Sequence, residues 1–530
     1  MKKLVFVLTL FIALASCQSI KKYNAQTSTQ HTVNALRSDV DKLYEQLQTN
    51  HPKLYQYITK EDLDFKFDSL KKSINAPINS RELYKKLAPV VAHIRQGHVA
   101  VGSVNKRFTK KERKALKKRK LEFYDLDLEY LNNKLFVKQT FGKDSLLVGA
   151  ELISIDGEKV NDLVRTYKTQ FASDGYNTTL HNRYVGKAFS RFYYKDKGFL
   201  DSLQVTFKNK DSVFIKQFKR AKKEEKKSKK ETVKTKKVKR IKLTKLEKKK
   251  NKLVRKQKRK NHKKYGFIAR SKTYTRNFNY IGKDSLVAYM KIRAFSNGKY
   301  KKFYKESFKE LAALKTKNLI LDLRDNGGGR ISEINYLYSY LTNKDYVFME
   351  PIEVNTRLPL TKSLVSSGNP AFMKIIGSLS YLDPISLGYQ YFNTKKVDGK
   401  IYYKMSYNKP KKPKKANYKG KLYVLINGNS FSASSLISTH LKANKRATFV
   451  GEETGGAYNG CVAGLYRIFK LPNAKLNVRM GLMQIEAPFK QNPDGYGIKP
   501  DVTILPNIQD RKLEIDTELE WILEDIYKQD

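Results

Sequence analysis

The sequence predicts a multi-domain protein of mixed α/β class, and three observations predict it. Between residues 265 and 510, short apolar runs alternate with stretches of helical spacing. Between 119 and 215, β-branched and aromatic residues alternate with polar ones and turn signals separate the runs. Between 31 and 105, apolar residues recur at threes and fours. A chain of 530 residues with 40% hydrophobic content has enough length for several such units and for a sizeable core.

Residues 1–16 read as a secretory signal. Lys2 and Lys3 precede an apolar stretch, Leu4 to Ala15, that is short for a membrane span, and small residues follow. Leu14-Ala15-Ser16-Cys17 resembles the lipobox of bacterial lipoproteins. That resemblance implies cleavage that leaves Cys17 lipidated, and a protein anchored in the cell envelope of a bacterium, facing the periplasm or the exterior. Ordinary cleavage nearby, with Cys17 incidental, is the alternative. Cys461 is the only other cysteine, so no internal disulfide framework is expected.

A polar linker, residues 17–30, leads to a helical module at 31–105. Val33, Leu36, Val40, Leu43 and Leu47 give the first helix, which Pro52 ends. "EDLDFKFDSLKKSI" and "SRELYKKLAPVVAHI" continue the helical pattern, and the turn "RQGH" leads to a short strand, "VAVG". A basic patch, Lys106 to Lys120, precedes the β-rich unit at 119–215. There, "LEFYDLDLEYL", "KLFVKQTFG" and "ELISI" predict strands, and Asp156-Gly157 a turn after which Val160 resumes the apolar pattern. "GAELISIDGEKV" resembles the strand-turn segment of a PDZ domain, although no carboxylate-binding glycine loop precedes it.

The net charge of +57 is unevenly distributed. Residues 216–264 hold 27 Lys or Arg against 4 Glu and too few apolar residues for a packed core. A solvated insertion is the first reading. Contact of residues 219–264 with an anionic envelope surface is the second, and nucleic-acid binding is the remote third. From Lys219 to Lys264 no Phe, Tyr or Trp interleaves the charge, so nucleic acid is not expected as a partner.

In the body, "SLVAYMKI", "NLILDL", "KLYVLI" and "ATFVG" are apolar runs suited to strands buried on both faces. Helical patterns fall between them, and residues 511–530 predict a C-terminal helix. Two strand ends carry unusual residues. "NLILDLRDNGGGR" runs a strand into Asp322, Arg324, Asp325, Asn326 and Gly327 to Gly329. Glycines there let backbone N–H groups face a ligand, as in a phosphate cradle or an oxyanion hole. The stretch matches neither the P-loop nor the dinucleotide pattern. "INGNSFSASSLISTHL" places Ser430, Ser432, Ser434 and Ser435 where "KLYVLI" gives way to a helix. Ser432 at that helix start suits a nucleophile, with the N–H of Ala433 beside it; it equally suits an N-cap.

Taken together, "DLRDNGGG", "VLINGNSFSASSLISTHLKANKRATFVGEETGG" and "GYGIKPDV" resemble the C-terminal processing (tail-specific) serine peptidases. The resemblance implies a ClpP/crotonase-like β-superhelix catalytic domain, a PDZ-like domain and an N-terminal helical module. It makes Ser432 the nucleophile and Gly327 or Gly328, with Ala433, the oxyanion donors. One branch of that family uses a lysine in "G-E-x-T-x-G-K"; Ala457 occupies that position here. The branch resembling the tricorn core protease uses a histidine from the N-terminal module, which points to His98 in "RQGHVAVG". Its acidic partner falls on Asp494 in "NPDGYGIKPDV", reaching the imidazole through a water or bridging group. Glu452 and Glu453 are acidic alternatives. His440 stands about two helical turns, roughly 12 Å, beyond Ser432, too far to be its base. His93 packs on a helix.

The expectation is therefore a lipid-anchored serine endopeptidase that forms an acyl-enzyme on Ser432 and acts on polypeptide, with neither metal nor cofactor. An inactive relative that binds peptides or an apolar ligand is the second reading, since the lysine is missing.

Overall fold

The computed structural model describes residues 19–222, 244–283 and 286–528. The signal, Cys17 and residues 223–243 of the Lys-rich stretch lie outside the described residues. Among the described residues no helix is long and apolar enough to cross a membrane.

A short helix, Ile20–Ser28, stands within the stretch expected to be a linker, and helices α1 (Val33–Asn50), α2 (Lys60–Ser73) and α3 (Ser80–Ala92) follow it, capped by the side chains of Thr32, Thr59 and Asn79. Each cap oxygen satisfies a first-turn N–H that has no intrahelical acceptor. Their apolar faces do not close on one another alone. Leu36, Leu43, Leu83 and Leu87 share a core with Leu471, Leu476, Val478 and Met480, residues near the other end of the chain. Strand β1 (Ala100–Gly102) strengthens that link. It pairs antiparallel with a strand at 477–485, setting Ala100 opposite Arg479 and Val101 opposite Val478. The turn just before β1, which holds His98, is thereby fixed against the C-terminal half.

Strands β2 (Leu126–Leu131), β3 (Lys134–Thr140) and β4 (Glu151–Ile155) begin a second unit, followed by helices α4 (Val160–Lys168) and α5 (Thr179–Lys197). Strands β5 (Ser202–Asn209) and β6 (Ser212–Lys219) complete an antiparallel sheet in the order β2-β3-β4-β5-β6. Val160 starts a helix rather than resuming a strand. With Leu163, Val164 and Tyr167 it forms a buried stripe at spacings of three and four. The first half of "LEFYDLDLEYL" is a single 3₁₀ turn, Glu122–Asp125. The Lys-rich stretch begins within β6 and ends in helix α6 (Lys245–Tyr265), which buries none of its residues.

The body is a six-stranded sheet with helices on both faces. In chain order its elements are β7 (Arg276–Ile281), β8 (Val287–Ile292), α7 (Tyr300–Ala313), β9 (Asn318–Asp322), α8 (Ile331–Leu341), β10 (Lys421–Ile426), α9 (Ala433–Ala443) and β11 (Thr448–Gly451). A hairpin, β12 (Cys461–Lys470) and β13 (Asn477–Ile485), precedes β14 (Val502–Thr503) and α10 (Thr517–Tyr527). The sheet order is β7-β8-β9-β10-β11-β14, with β7 antiparallel to β8 and the other pairs parallel. Alternate residues of β9 and β10 face different cores. Leu319, Leu321, Leu422 and Val424 join the helix-covered side, while Ile320, Tyr423 and Leu425 pack with Ile522 and Ile526 of α10. Burial on both faces is why these strands read as unbroken apolar runs. The β12–β13 hairpin was not among the expected elements; β13 is the strand that receives β1.

Candidate active site

The glycine run follows β9, and the serine stretch follows β10, its parallel neighbour. Asn326 ties the two together. Its carbonyl accepts from the Phe431 N–H at 3.0 Å and from Ser434 Oγ at 2.8 Å, and its amide donates to the Ile292 carbonyl at 2.9 Å. Asp322 is buried and accepts from Tyr289, Lys291 and Arg324, while Arg324 reaches on to Asp516. These cations hold the Asp322 carboxyl well below its usual range against the opposing cost of burial. The network braces the strand end and takes no part in the cleft.

Three of the four serines are engaged with backbone. Ser430 Oγ donates to the Leu323 carbonyl, Ser434 to Asn326 and Ser435 to Ser430. Ser432 differs. It precedes α9 yet makes no side-chain cap, and its backbone has φ +58° and ψ −118°. That conformation costs an L-residue on the order of 1–3 kcal/mol and is sustained by the surrounding contacts. It aims the side chain away from the helix, and Ser432 Oγ lies 3.0 Å from His98 Nε2.

His98 is buried, with its ring between Phe431 and Tyr466. Burial, with a smaller contribution from the Arg479 guanidinium, lowers its pKa to about 3, so the imidazole is neutral at pH 7. Its Nδ1 lies 3.3 Å from the Tyr466 hydroxyl. A proton leaving Ser432 needs a lone pair on Nε2, which puts the ring hydrogen on Nδ1, donating to the Tyr466 oxygen. Burial raises the Tyr466 pKa to about 12, and Arg479 covers its ring at 3.8 Å.

Asp494 is not brought to this pair. Its carboxylate accepts from Gln56 at 2.9 Å, from Tyr57 at 3.4 Å and from the Gly495 N–H at 2.6 Å. No direct hydrogen bond among the described residues joins it to His98; the "DG" turn directs it to the helical module, and the Tyr466 hydroxyl meets the Nδ1 side of the ring. Glu452 pairs with Arg183, and Glu453 accepts from the Gly497 N–H. His440 is bonded to the Phe348 carbonyl, with its pKa lowered to about 4 by burial. Half-buried His93 has its pKa lowered mainly by desolvation and is not hydrogen-bonded to the pair.

The expected oxyanion donors divide. The Gly328 N–H donates to Asn326 Oδ1 at 2.9 Å, which removes it from the set. Ala433 is the first residue of α9, so its N–H has no intrahelical acceptor. Gly327 has open space around it, and no hydrogen bond among the described residues engages its N–H. Gly328 presses on the helix start: a Cβ there would lie 2.8 Å from both Ala433 N and Ser432 Cβ.

Asp174 carried no sequence signal. It is buried and accepts from the Gly97 N–H at 2.8 Å, bracing the turn that presents His98. Burial raises its pKa to about 7 against the hydrogen bonds that favour its charge. Ala457, at the position of the missing lysine, is buried near Ser432 in an apolar cavity of about 470 Å³. A second cavity, about 560 Å³, meets Ser432 from the His98 side. Among the described residues, no group of three His, Cys, Asp or Glu side chains could hold a metal ion.

Residues 286–504 match the family model described as Peptidase family S41. Comparison with curated proteins finds no match. Among solved structures, the chain is similar to mature CPAF, at 13% identity and a TM-score of 0.56, covering 93% of this chain and 96% of that one. It is similarly related to mature CPAF complexed with lactacystin (14%, 0.56, 94% and 98%). The photosystem II D1 C-terminal processing protease is more distant in shape (13%, 0.42, 91% and 96%). At these identities the likeness to CPAF is one of fold, a mixed α/β multi-domain architecture.

Proposed function

We propose, from the premise that residues 286–504 form a peptidase family S41 domain, that this chain is a serine endopeptidase working through Ser432 and His98. The single observation that carries the reading is the 3.0 Å contact between Ser432 Oγ and His98 Nε2 across 334 residues of sequence. The strained backbone at Ser432, the engagement of its three neighbouring serines and the replacement of the family's lysine by Ala457 support the same assignment.

Ser432 Oγ attacks the peptide carbonyl while His98 Nε2 takes its proton, and Tyr466 holds the Nδ1 hydrogen in line. The N–H groups of Gly327 and Ala433 receive the negative charge that develops on the carbonyl oxygen. His98 then protonates the leaving amine, and water releases the acyl group from Ser432. The apolar cavity beside Ser432, lined by Phe295, Leu436, Met483 and Ile485, accommodates an apolar side chain of the acyl segment.

The rest of the reading extends the sequence. Cys17 is the lipid attachment point of an exported envelope protein. The β2–β6 unit is PDZ-like, and residues 219–264 contact an anionic surface. The substrate is polypeptide, and the chemistry uses neither metal nor nucleotide.

Ser432→Ala should abolish peptide hydrolysis and fluorophosphonate labelling while the circular dichroism stays native. His98→Ala should lose labelling as well. Undiminished hydrolysis by Ser432→Ala would overturn the assignment. Lactacystin, present in one of the similar structures, serves as a second probe of the same serine.

A further inference from the structure

The cleft on the His98 side of Ser432 is lined by cations. Lys187, Arg191 and Lys195 stand at intervals of four along α5, so they form one stripe on one helical face. All three line the cavity of about 560 Å³ that also contains His98, Gly327 and Ser432, and Arg479 enters it from β13. Among the described residues, none of the four makes an ion pair. Lys187 donates to the Asp325 carbonyl, Arg191 to the Tyr184 hydroxyl, Lys195 lies over the rings of Tyr84 and Phe192, and Arg479 covers Tyr466. The carboxylate of Asp325, within electrostatic reach of Lys187, is engaged by Asn427 and Asn429.

Arg183, one turn earlier on the same stripe, shows the contrast. It is buried and paired with Glu452 and Glu129. The fold therefore supplies carboxylates where this stripe serves structure and leaves them out where it borders the cleft. Desolvation and the neighbouring Arg191 bring the Lys195 pKa down to about 8, a cost that an incoming carboxylate would relieve.

We propose that this cleft is a subsite for an acidic polypeptide segment, whose side-chain carboxylates bind Lys187, Arg191 and Lys195. The inference rests on the peptidase reading for its direction. The histidine that takes the serine proton returns it to the leaving amine, so the leaving segment lies on the His98 side. The acidic residues therefore follow the cleaved bond. Spacing sets their register. Four helical residues advance about 6 Å, and two residues of an extended peptide advance about 6.6 Å, so alternate substrate positions meet successive cations.

The test uses two peptides with amidated C-termini. They are identical except that the second and fourth residues after the scissile bond are Glu in one and Gln in the other. The full chain should show kcat/KM about tenfold or more in favour of the Glu peptide at low salt, with the preference shrinking as ionic strength rises. Lys187→Glu with Arg191→Glu, both exposed positions, should reverse the order. Binding of both peptides to Ser432→Ala, read by fluorescence anisotropy, separates this proposal from the catalytic one. Discrimination in binding without any hydrolysis would support the subsite and overturn the peptidase reading. Equal kcat/KM and equal binding would overturn the subsite. The same pair is also assayed with free C-termini, and a preference confined to those peptides would overturn the subsite, because the cleft would then be reading the chain end.

Discussion

At the scale of single residues, the proposed site sets the Tyr466 hydroxyl 3.3 Å from His98 Nδ1, where a serine–histidine site usually has a carboxylate. Tyr466 can accept the Nδ1 hydrogen and fix the tautomer, but it brings no charge to stabilise an imidazolium. Tyr466→Phe should therefore lower kcat roughly tenfold to a hundredfold, the range for loss of a ring-orienting partner, while KM changes little. Asp494→Asn should leave kcat unchanged, since its carboxylate faces Gln56 and Tyr57, and steady-state kinetics on one peptide compares both variants. Ser432 and His98 were legible because each sits in a short motif whose context is local. Tyr466 and Asp174 were not, because nothing in "GLYRIFK" or "FASDGYN" distinguishes a site residue from a strand or loop residue. Their role comes from a pairing across the chain. The motif around Asp494 fixes a turn, not the direction in which the turn faces, and its carboxylate is engaged by Gln56, Tyr57 and the Gly495 N–H.

At the scale of elements, the site is a junction of three backbones: the turn before β1, the glycine run after β9 and the start of α9. The β9, β10 and α9 runs were readable as apolar strands and an amphipathic helix, and they fall within a residue or two of their expected limits. The β12–β13 hairpin was harder. Its outward residues are Tyr, Arg and Phe that are only half-buried, so neither a continuous apolar run nor clean alternation marks it. Helix α5 was hidden by the same effect, its buried residues being interrupted by the cationic stripe. The junction makes a sharp prediction about its glycines. Gly328 has φ +95°, and an added Cβ would meet the Phe431 carbonyl at 2.7 Å and Ala433 N at 2.8 Å. Gly328→Ala should cost about 1–3 kcal/mol of stability and push α9 off the glycine run, lowering kcat about a hundredfold or more. Gly327→Ala meets open space and should match the parent in stability, so a urea titration of the two variants separates close packing from a general need for glycine.

At the scale of the whole molecule, acid stability follows from where the fold buries its histidines. His51, His98 and His440 have pKa values lowered to about 3, 3 and 4, in each case mainly by burial. In the unfolded chain they would take up protons near pH 6.5. Below that pH the unfolded state binds more protons than the folded one, so stability falls, by about 1.4 kcal/mol per pH unit for each fully depressed group. Asp174 opposes them. Its raised pKa, about 7, means that the folded state holds a proton that the unfolded chain binds only near pH 3.9, so its contribution grows as pH falls between those values. One carboxyl offsets roughly one histidine, and the balance remains destabilising. The ion-paired Asp322 has a lowered pKa and adds its loss only below the ordinary carboxylate range, outside this window. The urea midpoint should therefore drop between pH 7 and pH 5. His51 isolates the cause, because both of its ring nitrogens are buried without a hydrogen-bond partner among the described residues. His51→Leu removes a buried polar ring and breaks no side-chain hydrogen bond. It should raise the midpoint at pH 5 more than at pH 7.5 and flatten the slope by about one histidine's worth. An unchanged slope would mean that the folded state protonates His51 after all, and that acid sensitivity arises elsewhere in the fold.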